Sequence, residues 1–492
     1  RPEAAEDLDA RLARAGLLAR VGRADDAVRE FRRLRRKGDP DFELRLLERW
    51  RRVRRAQGRR DAARTVDRWI LEEFPGSPAA VGIHFARADA LHDAGAYEEA
   101  AEEFRRAWRA APRLSQAGEA RMREGQLRLL LDDVEGAADV FEGYLADFPR
   151  GRRWAQAAYW AARARLEMAD TSRALPLLQR VLAEEPLSYY AVLASDVLGR
   201  PYAPALVVPP PAATPAWLAA ALDTLDALVD AGLPGGAGVV ARSLAVRAGR
   251  EGNEARLAVA EALLERGRTV EGINLGWAAL QDGYRWDERL ARIVYPYPYR
   301  EIVEREAAER GVDSLLLAAL IRQESAFSEA IRSPAGAIGL MQVMPATGAQ
   351  LARAEGVRPF SAASLARAEI NVHLGTTFLL DMGERFGTDR ASLPLLLSAY
   401  NAGPTRARRW RRFAEADDAE RFTERIPFSE TRGYVKNVSR NLALYRALYG
   451  PPASAEDAAA ARVREAPRAS GEGDRARVSS AVRPAAPGDG GR

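Results

Sequence analysis

Alanine recurs at Ala27, Ala63, Ala100, Ala137 and Ala174, at spacings of 36, 37, 37 and 37 residues. A proline follows each, at Pro40, Pro75, Pro112, Pro149 and Pro186. Four residues after the alanine stand Phe31, Phe104, Phe141 and Leu178; the second copy carries Asp67 there, which shifts the apolar role to Val66. Gly22, Gly58 and Gly95 mark a turn just before three of these segments. A period of this length belongs to stacked helix–turn–helix units. The small alanine lets helices approach closely, and the proline closes the second helix. No such unit can bury its own apolar face, so residues 1–200 must stack into a curved helical solenoid.

The units resemble a tetratricopeptide-type array. Tyr159, Trp160, Tyr189 and Tyr190 fall in the last units. Aromatics at helical spacing are expected in the core rather than on a sugar-stacking surface. Residues 201–216 follow as a stiff, proline-rich connector, with Pro201, Pro204, Pro209, Pro210, Pro211 and Pro215. Helical patterning resumes over 217–294, a bridging segment broken at Leu233-Pro234-Gly235-Gly236. Tyr295, Tyr297 and Tyr299, alternating with prolines, open a further domain over 295–450. The remainder, 451–492, lacks apolar periodicity and is expected to be disordered. The fold class expected throughout is all-α.

Several functions are excluded by composition. The chain has no cysteine, so thiol nucleophiles, disulfides and cysteine metal sites are absent. His84, His92 and His373 are too scattered for a histidine metal cluster, and no metal or other cofactor is expected. The net charge is +5, and of 74 basic residues only Lys37 and Lys436 are lysine. Arginines are interspersed with Asp and Glu, which reads as solvated helix faces rather than a nucleic-acid footprint. No apolar run approaches the roughly 18 residues of a membrane span. The chain begins Arg1-Pro2-Glu3 without methionine, as a numbering that starts after processing or trimming would.

A possible chemical centre lies past residue 310. Asp313 or Ser314 caps an apolar stretch, Leu315 to Ile321, that crowds three sides of a helix and predicts its burial. Glu324 stands at its C-terminal end. Burial and the negative end of the helix dipole both favour the protonated carboxyl, the form a general acid needs. An ordinary surface glutamate paired with Arg322 is the alternative. Three later strings bear on the choice: Gly336-Ala337-Ile338-Gly339-Leu340-Met341-Gln342-Val343-Met344-Pro345, Ser398-Ala399-Tyr400-Asn401-Ala402-Gly403-Pro404, and Ile426-Pro427-Phe428-Ser429-Glu430-Thr431-Arg432-Gly433-Tyr434-Val435. With Glu324-Ser325, these strings in this order resemble the catalytic domain of the soluble lytic transglycosylases, from about Tyr295 to Gly450.

The resemblance implies a lysozyme-like fold above a helical superhelix, acting on the glycan strands of bacterial peptidoglycan in the cell envelope, the periplasm in a Gram-negative cell. It implies that Glu324 acts alone, first as acid and then as base, leaving a 1,6-anhydroMurNAc end. It places Ser333 near the acid or the N-acetyl group, Gln342 and Met344 along the glycan groove, and the Tyr400 hydroxyl beside the acid. It also makes Asn401 and Glu430 sugar contacts. Met341 and Met344 can equally be core filler, Asn401 a helix cap, and Tyr434 and Arg432 structural; His373 is expected to be structural. The repeats would hold glycan strands or partner cell-wall enzymes. Two other readings stand beside this one. A hydrolase on the same fold would need a second carboxylate, with Glu430, Asp381 and Glu384 as candidates. A repeat scaffold would only bind glycan or protein.

Overall fold

A computed structural model describes residues 8–209 and 214–451. The expected tail, 452–492, lies outside the described residues, as do residues 1–7 and 210–213 of the connector. The described residues hold 24 α-helices; extended pairing is limited to the isolated bridges Arg332–Ile338 and Ile338–Val343. The chain is therefore all-α.

The first ten helices form five pairs, from Leu8–Arg20 with Ala24–Leu34 to Trp154–Glu167 with Thr171–Glu184. Each recurrent alanine lies on the second helix of its pair and is at most 3% exposed, where a larger side chain would hold the helices apart. Phe31, Phe104, Phe141 and Leu178 are fully buried beside them. In the second pair Val66 takes that place in the core, while Asp67 is buried by pairing with Arg51 and Arg55. The turn between paired helices carries one left-handed residue. It is Gly22, Gly58 and Gly95 in the first three pairs, then Asp132 and Ala169 at φ of 58° and 60°. Pro40 opens the helix Pro40–Ala56, whose missing N–H costs nothing at that position.

The connector has no regular secondary structure from Pro201 to Pro209 and is tied by Tyr202 donating to the Pro186 carbonyl. Five more helices follow, Ala216–Asp230 to Glu288–Val294. The break among them falls at Gly232, with φ of 67°; Pro234 instead starts the helix Pro234–Glu251 and carries Gly235 and Gly236 within it. These bridging helices share one apolar core with everything downstream, from Leu218 through Leu257 and Tyr295 to Leu448.

The helix Ser314–Glu324 is the centre of that core. Leu317, Ala318, Ala319, Leu320 and Ile321 are all fully buried. Asp313 caps it, accepting from the Leu315 N–H at 2.8 Å. It packs along the terminal helix Ser429–Tyr449, where Asn441 donates to the Ala319 carbonyl. Tyr445 and Tyr449 donate to the carbonyls of Pro296 and Tyr295. The tyrosine–proline string is thus clamped onto the last helix.

The solenoid grips the downstream domain through buried polar groups. Glu424 accepts from Gln156, Trp160 and Tyr190 of the solenoid at 2.8, 3.1 and 2.6 Å, and from Lys436 at 2.7 Å. These contacts, with burial at the interface, account for Trp160 and Tyr190. Tyr159 is fully buried and donates to Glu420 at 2.6 Å, whereas Tyr189 is only partly buried and packs its ring against Tyr190. Arg432 pairs with Glu119 of the solenoid, Arg425 with Asp93, and His92 with Glu415.

Candidate active site

Glu324 ends its helix and is half-buried. Its neighbour Arg322 does not pair with it; Arg322 donates to the Val294 carbonyl at 2.9 Å and lies over the Tyr295 ring. The Tyr434 hydroxyl instead donates to Glu324 Oε1 at 2.7 Å. Burial pushes the Glu324 carboxyl up to about 7, against the opposing pull of that hydrogen bond. Among the described residues, the groups that shift it include no second carboxylate. The chain then turns sharply, with Ala326 and Phe327 both left-handed at φ of 48° and 64°. Two such non-glycine residues in succession are costly and persist only where packing holds them. Here Phe327 is buried and its N–H donates to Ser325 Oγ at 3.1 Å.

The glycine-rich string forms a tight ribbon beside the acid's helix. Ser333 closes its first turn, accepting from the Ala337 N–H at 3.0 Å. A Cβ on Gly339 would meet Asn371 Nδ2 at 2.2 Å and the Leu365 carbonyl at 2.3 Å, so only glycine fits. Asn371 is fully buried and makes three bonds: it accepts from Met341 N–H at 2.7 Å and donates to the carbonyls of Ile338 and Leu365 at 2.8 and 2.7 Å. Tyr400 is buried too, and its hydroxyl donates to the Met341 carbonyl at 2.9 Å. The Met341 backbone is thus held at both its N–H and its carbonyl.

These contacts reassign two hydroxyls. The phenol expected beside the acid at Tyr400 spends its donor on the ribbon, because burial leaves the Met341 carbonyl no water. Tyr434, for which a structural role stands as one reading of the sequence, is the phenol on the acid. Both stay protonated, burial and the nearby Glu324 raising each well above the ordinary range. Gln342 is left-handed, φ 50°, and its amide donates to the carbonyls of Gly339 and Ile331, which also makes it a brace of the ribbon. Met341 is core filler, whereas Met344 is 41% exposed. Asn401 is exposed and accepts from Thr431 Oγ1 at 2.8 Å; Glu430 is exposed one residue before. Asp381, a candidate second carboxylate, is paired with Arg385. His373 lies among Glu306, Arg310 and Glu355. Asn371 was missed, since a buried asparagine in a helix pattern has no distinguishing spacing.

A half-buried lone carboxyl with a raised pKa, set between a strained turn and a braced ribbon, is the arrangement that a single general acid needs. Residues 301–423 match the family model of the transglycosylase SLT domain, and residues 425–453 that of the soluble lytic transglycosylase helical domain. The part of the chain that carries Glu324 is thus similar to the soluble lytic transglycosylase family.

Over 170 residues it is 38% identical to the soluble lytic murein transglycosylases of Escherichia coli K12 and Salmonella typhimurium. That stretch is 34% of this chain and spans only 26% of the length of those relatives. Its fold is similar to that of an inactive mutant of the lytic transglycosylase Slt from Pseudomonas aeruginosa, with a TM-score of 0.66 and 24% identity, over 90% of this chain and 72% of that one. It is also similar to the 70-kDa soluble lytic transglycosylase of Escherichia coli, with a TM-score of 0.55 and 20% identity, over 91% and 82%.

Proposed function

We propose that the chain is a peptidoglycan lytic transglycosylase of the bacterial envelope, and that Glu324 is its sole acid and base. The observation that carries the reading is the Glu324 carboxyl, held near neutrality by burial and oriented by Tyr434 at 2.7 Å with no second carboxylate in play. A group poised at about 7 is populated in both forms at neutral pH, as an acid that later serves as a base requires. Glu324 donates its proton to the glycosidic oxygen between MurNAc and GlcNAc as the C1–O bond breaks. The substrate's N-acetyl group supports the cationic centre. The carboxylate then takes the proton of the MurNAc C6 hydroxyl, whose oxygen bonds to C1. Glu324 ends protonated, no water is consumed, and the product carries a 1,6-anhydro ring.

In this scheme Tyr434 fixes one carboxyl oxygen and leaves the other for the substrate. The ribbon held by Asn371, Tyr400, Ser333 and Gln342 forms the floor, and Met344, Asn401 and Glu430 offer exposed contacts for sugar. The solenoid of 1–200, the connector of 201–216 and the bridge of 217–294 would present glycan strands, or partner cell-wall enzymes, to the domain of 295–450.

Mass spectrometry of the products from purified peptidoglycan tests the proposal, with Glu324→Gln beside the unmutated chain. Fragments about 18 Da lighter than hydrolytic ones, absent with Glu324→Gln, are expected. Products with added water would make the protein a hydrolase. No product from either, despite sedimentation with the wall, would make it a scaffold.

A further inference from the structure

The turn that aims the terminal helix is fastened from outside its own domain. The helix Ala419–Arg425 stops because Pro427 has no N–H to give and disfavours helical backbone at Ile426. The carbonyls of Arg425 and Ile426 therefore gain no helical partner. Arg123, on the solenoid helix Ser115–Leu130, donates to both: Nη1 to the Arg425 carbonyl at 3.2 Å and Nη2 to the Ile426 carbonyl at 3.5 Å. Arg432 donates to the same Ile426 carbonyl at 2.6 Å, and its other nitrogen holds Glu119, one turn before Arg123. The Ile426 carbonyl is thus gripped by one guanidinium from the solenoid and one from the helix that follows it.

A contact that served docking alone would pair its charge. Arg121 and Arg165 of the solenoid pair with Asp147 and Glu142, and Lys436 pairs with Glu424. Arg123 is 4% exposed, and among the described residues it makes no ion pair; its Nε is buried without a partner. Asp89 and Glu119 face it, but so do Arg425 and Arg432, and burial together with Arg432 holds it down to about 10. A buried charge without an ion pair costs folding free energy. Natural folds carry such costs at functional sites.

What this position controls is the helix Ser429–Tyr449. It opens just past Ile426, and its first bond runs from the Arg432 N–H to the Phe428 carbonyl. Tyr434 stands roughly 7.5 Å of helix rise beyond Ser429 and donates to Glu324. Packed elements pass displacements on rather than absorbing them, so a shift of the Ile426 turn reaches that hydroxyl.

We propose that Arg123 is a positioning residue for Glu324: from the solenoid it fixes the turn at Ile426, and through the helix that follows it sets the Tyr434 hydroxyl on the acid. The proposal rests on the reading of Glu324 as the acid. The solenoid thereby supplies one of the braces on which the acid's geometry depends.

The test uses the full chain and soluble glycan strands, with kcat, KM and the pH profile read for Arg123→Gln and Arg123→Lys. Arg123→Gln should lower kcat by roughly tenfold, as Tyr434→Phe does, and leave KM unchanged. Loosening Tyr434 weakens the hydrogen bond that opposes burial, so the alkaline limb should move upward. Arg123→Lys, which keeps the charge and a donor, should recover part of both effects. In a Tyr434→Phe background, Arg123→Gln should change neither kcat nor the limb further, because the two substitutions act on one bond. Tyr159→Phe, which removes the docking contact to Glu420, should leave the limb in place. An unmoved limb in Arg123→Gln, or losses in kcat that multiply with those of Tyr434→Phe, would overturn the proposal and leave Arg123 a fastening of the solenoid. So would failure of both Arg123 variants to fold. If Tyr434→Phe and Glu324→Gln themselves leave turnover unchanged, the reading of the acid falls instead, and the proposal with it.

Discussion

At the scale of single residues, the acid is expected to weaken the fold it serves. Glu324 is pushed up to about 7, above the value of an unfolded glutamate. The folded chain therefore binds this proton more tightly, and the stability it adds is fully present below the unfolded value. That stability is lost as pH rises through about 7. Glu324→Gln should accordingly be more stable than the unmutated chain at pH 8, by on the order of 3 kcal/mol, with the gain gone near pH 4. Urea unfolding at the two pH values reads this directly; equal midpoints at both would mean that burial does not strain the carboxyl. Turnover should fall as pH rises past about 7, where the acid loses its proton. Tyr434→Phe removes the one hydrogen bond that favours the carboxylate. It should move that alkaline limb upward and cut kcat by ~10-fold or more. Tyr400→Phe strands a buried carbonyl and should cost ~1–3 kcal/mol of stability, with the limb unmoved. If the limb moves with Tyr400→Phe and not with Tyr434→Phe, the two roles are exchanged.

At the scale of elements, the ribbon after the acid depends on one side chain from another helix. Asn371, on Ala368–Phe386, satisfies three buried backbone groups, and Gly339 leaves the room it needs. Asn371→Ala leaves those groups unpaired and opens a void, which should cost ~3 kcal/mol or more. The loss should appear as a lowered thermal midpoint and as faster amide exchange at Met341. Unchanged exchange there would show that the ribbon holds itself. The solenoid turns teach a related point. Their left-handed residue is glycine three times and then Asp132 and Ala169. Neighbouring packing therefore enforces the conformation where the residue does not prefer it.

At the scale of the whole molecule, the solenoid and the domain carrying Glu324 behave as one packed unit. Glu424 is held down to about 2: burial opposes this, but Lys436 and the donors Tyr190 and Trp160 outweigh it. Its contribution to stability is present above the ordinary carboxylate range and is lost as pH falls toward about 2. Glu424→Ala leaves Lys436 buried without its partner and should cost ~3–5 kcal/mol. Because Tyr434 and Lys436 share one helix, activity should fall with the docking. Limited proteolysis should then cut near the connector; a variant as resistant and active as the unmutated chain would show that the solenoid is not needed to hold the site. The same helix carries Tyr434 to Glu324 and Arg432 to Glu119, so docking of the solenoid and the setting of Glu324 are mechanically joined.

The sequence by itself determined what depends on short-range pattern. The alanine period dictated stacked helical pairs, because no single pair can cover its apolar face. The all-round apolar run before Glu324 dictated a buried helix, and burial of its last residue dictated a raised carboxyl pKa. The ordered strings around Met341, Tyr400 and Tyr434 were legible as a site. Which of the two tyrosines meets the acid was not, since Tyr434 lies 110 residues from Glu324 and both sit on helices of similar pattern. Nor was the service of Asn371 to the ribbon, or the burial of Trp160 and Tyr190 against a distant glutamate. Such choices are made by hydrogen-bond geometry between elements that only packing brings together. A donor's partner is whichever unsatisfied acceptor burial leaves within about 3 Å, and that is a property of the tertiary structure.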